Sequence, residues 1–244
     1  LDFEDKHVLI ISPHDDVVYT VGQYKDRKFE YGDWDVLDLG GRPAFYAPNC
    51  FKDNAGRWIM WSWIQGAGSE GYSWNGCLTL PRELTLDSDE HLRQNPVSEI
   101  KQLYGPELFS SRISLESERR ILQGIQSSVC EITAEFDMAD LNKAGIEILV
   151  PDAGQGVEIS FDALNSLFTV GDRSVQYVLP GESTELNLRV FVDNSVIEVY
   201  INELDSFTAR AYPDLAQGAG IAVLNEGGTG ETVITVTAMK EIWI

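Results

Sequence analysis

Short runs of β-branched and apolar residues, each closed by a turn signal, recur along nearly the whole 244-residue chain and leave little room for helix. His7-Val8-Leu9-Ile10-Ile11-Ser12, Val17-Val18-Tyr19-Thr20-Val21-Gly22, Val157-Glu158-Ile159-Ser160-Phe161, Leu188-Arg189-Val190-Phe191-Val192 and Val196-Ile197-Glu198-Val199-Tyr200 each read as a strand. Between such runs lie Pro13-His14-Asp15-Asp16, Lys52-Asp53-Asn54-Ala55-Gly56, Asp152-Ala153-Gly154-Gln155-Gly156 and Glu226-Gly227-Gly228. These supply the positive φ or the Asx geometry that a reversal needs. Only 117–125 and 138–144 read as brief helix or coil, and no βαβ pattern occurs. The pattern predicts an all-β chain.

Strand alternation lapses over 94–111, where Pro96 and Pro106 flank Glu99-Ile100-Lys101-Gln102-Leu103-Tyr104. We place the domain boundary there: 1–100 before it, a linker at 101–111 and 112–244 after it. Five of the six tryptophans precede the boundary, whereas the later part is rich in Val, Ile and Thr. The later part has enough strands for a β-sandwich. The earlier part has too few to close on itself, and its length suits two propeller blades of about four strands each.

Charge narrows the partners. Thirty-nine acidic residues against 18 basic ones give a formal charge of -21, which repels nucleic acid and anionic lipid. The excess is spread along the chain, as a solvated surface would have it. No apolar run approaches the ~18 residues of a membrane span. Cys50, Cys77 and Cys130 form no C-x-x-C pair and read as mostly buried thiols, so neither a zinc site nor a disulfide framework is expected. No N-x-S/T acceptor occurs, and the opening residues lack the pattern of a signal peptide. The compartment stays undetermined.

The densest chemical signal is aromatic: Phe45-Tyr46-Ala47-Pro48-Asn49-Cys50-Phe51, then Arg57-Trp58-Ile59-Met60-Trp61-Ser62-Trp63-Ile64. Alternation puts Trp61 and Trp63 on one side of a strand, with Trp74 following. Aromatic faces of this kind hold the C–H faces of sugars; an aromatic core between sheets accounts for the same spacing. His14-Asp15-Asp16 reads as turn chemistry, not a metal site. Pro81-Arg82-Glu83 reads as a structural ion pair beside a strand. The three histidines, His7, His14 and His91, sit in no nucleophile-elbow context.

Five segments, in order, resemble glycoside hydrolase family 32, the invertases, inulinases and levanases. They are Phe45-Tyr46-Ala47-Pro48; Trp74-Asn75-Gly76-Cys77-Leu78-Thr79-Leu80-Pro81-Arg82-Glu83-Leu84; Gln94-Asn95-Pro96-Val97-Ser98-Glu99; the strand pair from Leu188 through Asn202; and Ala238-Met239-Lys240-Glu241-Ile242-Trp243. The resemblance implies the last two blades of a five-bladed β-propeller followed by a C-terminal β-sandwich. It implies a funnel-shaped pocket for a β-fructosyl unit, and a retaining mechanism with an Asp nucleophile and a Glu acid/base. No metal or organic cofactor is implied.

The family's N-D-P-N-G, R-D-P and E-C motifs are absent from this sequence, so no catalytic residue is assigned to it. The expectation is the C-terminal portion of a β-fructosidase acting on sucrose or fructans. The N-terminal half would be supplied as a companion chain, and oligomer formation aided by the sandwich stays open. The resemblance carries Trp63 onto a pocket wall and Asp38 onto its border, with Tyr46, Asn49 and Trp74 as further substrate-binding candidates. Ala44 stands where many members have a charged residue before F-Y-A, which bears on the leaving sugar. Residues 66–71, Gly66-Ala67-Gly68-Ser69-Glu70-Gly71, lack the helix and lysine of a phosphate loop and read as a rim loop. Two rival readings stay open: a non-catalytic carbohydrate-binding protein using Trp61, Trp63 and Trp74, and a purely structural subunit.

Overall fold

The computed structural model describes residues 1–66 and 74–240. Strand dominates it, and its helical segments are three short 3-10 turns, so the all-β expectation holds among the described residues. The rim loop expected at 66–71 lies almost wholly outside them. Chain contacts divide the protein into two units, Leu1–Glu99 with Glu203–Thr208, and Ile100–Asn202 with Ala209–Ile244.

In the first unit, β1 (Asp2–Phe3), β2 (Lys6–Ile11), β3 (Val18–Lys25) and β4 (Lys28–Val36) follow one another in an antiparallel meander. A second sheet has the order β5 (Tyr46–Lys52), β6 (Trp58–Gln65), β8 (Arg82–Leu86), β9 (Leu92–Pro96), and β7 (Gly76–Leu78) also pairs with β6. β7 covers Trp63–Gln65 and β8 covers Trp58–Met60. Pro81, with no N–H for the ladder, lies in the break between them. Val8, Tyr19 and Val21 from the first sheet meet Met60, Leu84 and Leu92 from the second in one core, with Phe45 fully buried among them.

The second unit contains β10 (Tyr104–Glu116), β11 (Arg119–Gln126), β12 (Val129–Asp137), β13 (Leu141–Val150), β14 (Val157–Asp162), β15 (Leu167–Val170), β16 (Arg173–Gln176), β17 (Glu185–Asp193), β18 (Val196–Ile201) and β20 (Gly220–Met239). Of the intervening β19 (Asp205–Arg210), residues 205–208 count with the first unit. The stretch expected as a linker is ordered: the 3-10 turn Ser98–Leu103 leads straight into β10.

The segment read as helix or coil at 117–125 is also mostly strand. β10 pairs along Thr229–Met239 of β20, and β11 continues along Gly220–Leu224 of the same strand. The two long strands bend together at one corner. There Asn225 N donates to Glu118 O at 2.9 Å and Gly227 N donates to Ser117 Oγ at 2.8 Å. Glu226-Gly227-Gly228, expected as a reversal, is therefore a bend inside β20. Gly228 has φ +88, and a Cβ there would lie 1.8 Å from Asp140 O. Beyond the corner β12, β17 and β18 extend one ladder, while β13 to β16 extend the other. Only Met138–Asp140 of the segment 138–144 is helical. Ile132, Ala134, Ile146, Phe168, Val190, Val199, Val223 and Val236 are fully buried. Burial pushes the thiols of Cys50 and Cys130 up to about 11.

Candidate functional site

β5 and β6 form a hairpin whose turn is set by Asp53. Its Oδ1 accepts from Ala55 N at 2.9 Å and Arg57 N at 2.8 Å. Down the ladder Lys52 faces Trp58, Cys50 faces Met60, Asn49 faces Trp61 and Tyr46 faces Trp63, with a bulge between Tyr46 and Asn49. Residues directly opposite one another share a face. Met60, Ser62 and Ile64 point to the buried side, so Tyr46, Asn49, Trp61 and Trp63 share the other. Trp61 and Trp63 thus lie on one side, as alternation predicts.

The two tryptophans differ in what they offer. Trp61 stacks on Phe51, with ring centroids 5.5 Å apart and planes 9° apart. Trp63 stays 40% exposed. Opposite it on β7 is Leu78, also exposed. The indole fits there because residue 76 is glycine: a Cβ on Gly76, at φ +106, would sit 2.4 Å from Trp63 Nε1. Trp74, two residues before β7, is 39% exposed.

A polar rim adjoins this apolar floor. From the buried side Ser62 Oγ donates to Tyr46 O at 2.8 Å, and at the rim Tyr46 Oη donates to Ser12 O at 3.3 Å. The Arg42 guanidinium lies 4.9 Å from the Tyr46 ring centroid. Its Nη1 donates to His14 O at 2.9 Å and its Nε to Gln65 Oε1 at 3.3 Å. Gln65 is two residues beyond Trp63 on the same strand, hence on the same face. Sequence reasoning missed Arg42 and Gln65. The alternation of β6 carried the signal for Gln65, but nothing local to Arg42 announces a contact made across loops.

Asp38 goes elsewhere. It is 1% exposed, and its carboxylate accepts from Arg82 Nη1 (2.9 Å), Gly40 N (2.9 Å), Ser206 Oγ (3.0 Å), Thr208 N (2.8 Å) and Thr208 Oγ1 (2.7 Å). Arg82 is equally buried, reaches Gln94 Oε1 at 3.0 Å, and lies 5.0 Å from the centroid of Phe45. The structure therefore brings Tyr46, Asn49 and Trp63 together on one face and keeps Asp38 inside the core. In place of the ion pair expected at 81–83, Arg82 pairs with Asp38, while Glu83 lies 3.5 Å from Arg57.

At the other end of the same strands a cleft of about 580 Å³ is lined by Phe3, Trp58, Leu84 and Leu86. Its cations are occupied: Lys52 with Asp2 at 3.1 Å, Lys6 with Glu90 at 2.5 Å, and Arg57 with Asp53 at 2.8 Å. The Trp63 face has the exposed ring that a sugar needs, with the exposed Asn49 beside it, so we take it as the candidate site. None of its residues named above is acidic. Among the described residues no cluster of three or more His, Cys, Asp or Glu side chains could hold a metal ion.

Comparison with known proteins gives these features a family. Residues 2–96 match the model of the glycosyl hydrolases family 32 N-terminal domain, and residues 91–240 match that of the family 32 C-terminal domain. A levanase from a Bacillus species is 30% identical over 85% of this chain and 25% of its own length. A sucrose-6-phosphate hydrolase from Vibrio alginolyticus is 31% identical over 69% of this chain and 34% of its own. The crystal structure of exo-inulinase from Aspergillus awamori superposes with a TM-score of 0.81 at 16% identity, covering 98% of this chain and 54% of that one. The chain thus spans a quarter to a third of the two relatives and about half of the solved structure. This protein belongs to glycoside hydrolase family 32.

Proposed function

We propose that this chain is the C-terminal portion of a retaining β-fructofuranosidase acting on sucrose or fructans. Its two catalytic carboxylates are supplied by an N-terminal companion segment. The observation that carries the reading is the Trp63 face: an exposed indole beside Tyr46, with amide and guanidinium groups at its edge, in a chain of this family. On this reading the two meanders of the first unit are the last two propeller blades. The second unit is a β-sandwich whose long strands pass between sheets at the corner 117–118 and 225–228, the kind of bend by which strands change sheets.

In the completed site the companion's Asp attacks the anomeric carbon and its Glu protonates the leaving oxygen. Trp63 then carries the apolar face of the fructosyl ring, and Tyr46, Asn49 and Trp74 border it. Asp38 acts from within, holding Arg82 and with it β8 in place.

The test combines the 244-residue chain with a segment bearing the N-D-P-N-G, R-D-P and E-C motifs and measures fructose released from sucrose and inulin. Fructose release is expected only from the pair, and Trp63→Ala raises the activation free energy read from kcat/KM by about 1–3 kcal/mol. Absence of release from any such pair would sink the hydrolase reading. The exposure of Trp63 in this chain alone also favours a second reading, a non-catalytic carbohydrate-binding subunit. Fructan binding without hydrolysis in every combination would establish it.

A further inference from the structure

An antiparallel sheet with one face in water alternates apolar and polar residues, whereas a sheet covered on both faces reads as an unbroken apolar run. Val8-Leu9-Ile10-Ile11 in β2 is such a run. Val8 lies in the core shared with the second sheet, as do Tyr19 and Val21 of β3. Leu9 and Ile11 therefore point the other way, and they stay 38% and 39% exposed.

The register carries that outward face across three strands. Leu9, Thr20 and Trp34 stand in one line over β2, β3 and β4, and Ile11, Val18 and Val36 in the next. Tyr31, opposite Gly22, continues the face, with its ring centroid 5.9 Å from that of Trp34. Trp34 is 41% exposed and Tyr31 more so. Among the residues in register the face carries no Asp, Glu, Lys or Arg. Asp35 falls opposite Tyr19 and Glu30 opposite Gln23, both on the other side. The second sheet behaves differently: its side away from the shared core has Glu83 opposite Asn95 and Arg93 opposite Thr85. In a chain of formal charge -21, a sheet face kept free of charge is built for cover.

The cover has a source of the right kind and size. The core side of β2 and β3 already stacks on a sheet, so the outward side offers a second surface of the same type. This chain spans 54% of the exo-inulinase chain whose fold it shares, which leaves about half of that fold to come from elsewhere. We propose that the outward face of β2–β4, centred on Leu9, Ile11 and Trp34, is the docking surface for the N-terminal companion segment, which meets it with an uncharged sheet face. The inference rests on the companion reading given above.

Calorimetric titration of the 244-residue chain with the segment bearing the N-D-P-N-G, R-D-P and E-C motifs tests it, with fructose release from sucrose followed in the same mixtures. We expect a one-to-one complex that Ile11→Glu and Leu9→Glu each weaken by about tenfold or more, because each puts a charge into an apolar contact. Val178→Glu, at an exposed apolar position of the second unit, is expected to bind as wild type does. Should the Glu variants fail to fold, the wild-type chain still reports: mixing should move its tryptophan emission to shorter wavelength, and Trp34→Phe should remove most of that shift. Folded Glu variants that bind like wild type would overturn the surface, while fructose release from the pair would leave the companion reading standing. Binding that depends on Ile11 without fructose release would uphold the surface and sink hydrolysis. A wild-type chain that dimerises alone, and that Ile11→Glu makes monomeric, would give the face to a second copy and overturn the assignment. If wild type shows neither binding nor fructose release, the surface and the companion reading fall together.

Discussion

His91 is placed to sense pH. Its Nε2 lies 3.3 Å from Asp205 Oδ1, and its Nδ1 lies 3.5 Å from Tyr19 Oη, which is in turn 3.5 Å from Asp35 Oδ2. The hydrogen bond to Asp205 raises the His91 pKa above the ordinary 6.5, with the charges of Asp205 and Asp35 adding to it against partial burial. Burial pushes the Tyr19 hydroxyl up to about 12, so it stays neutral throughout. A raised folded-state value means that protonation favours the native state. The contribution is fully present below 6.5 and fades as pH rises through the raised value. Unfolding of the first unit, followed by the fluorescence of Trp34, Trp58, Trp61, Trp63 and Trp74, should therefore shift to lower urea as pH goes from 6 to 8.5. His91→Gln should flatten that part of the curve, and an unchanged slope in the variant would remove His91 as its source. At this scale the sequence was partly legible. Alternation foretold the shared side of Trp61 and Trp63, because a strand's period is local. The burial of Asp38 against Arg82 was not foretold, because 44 residues separate them and the contact exists only after β8 is registered on β6.

Among the elements, the paired bend of β10, β11 and β20 sets the shape of the second unit. Glycine is required where β20 turns: at Gly228 any side chain meets both a left-handed backbone and the carbonyl of Asp140. Gly228→Ala is expected to cost on the order of 2 kcal/mol or more. The check is the urea midpoint, read by near-ultraviolet dichroism of the second unit; a midpoint within error of wild type would show that the corner relaxes freely. Most strands could be read in advance because apolar alternation is written along each of them. The corner could not. Glu226-Gly227-Gly228 permits reversal and bending alike, and the choice is made by the partner strand. Ser117 and Glu118 likewise looked like coil because their role is to hold the opposing bend.

For the whole molecule, the important fact is that the first unit is discontinuous in sequence. Residues 203–208 belong with 1–99, and they bring Ser206 and Thr208 to the buried Asp38–Arg82 pair. An ion pair taken out of water holds only if its remaining hydrogen-bonding capacity is met, and losing partners there costs several kcal/mol. Residues 1–99 expressed alone should therefore lack a cooperative melt and disperse poorly in a proton–nitrogen correlation spectrum, whereas the full chain gives both. A cooperatively folded 1–99 would disprove this dependence. The border between the N- and C-terminal family matches, near residues 91–96, is consequently no place to cut.

The same discontinuity orders events on the ribosome. Thr208 is 126 residues beyond its partner Arg82, and at roughly 5–20 residues per second its arrival lags by on the order of ten seconds. Throughout that interval the nascent first unit holds a guanidinium and a carboxylate without their full set of partners. The first unit thus stays incomplete while most of the second is being made, and its apolar strands are what a holding chaperone would meet.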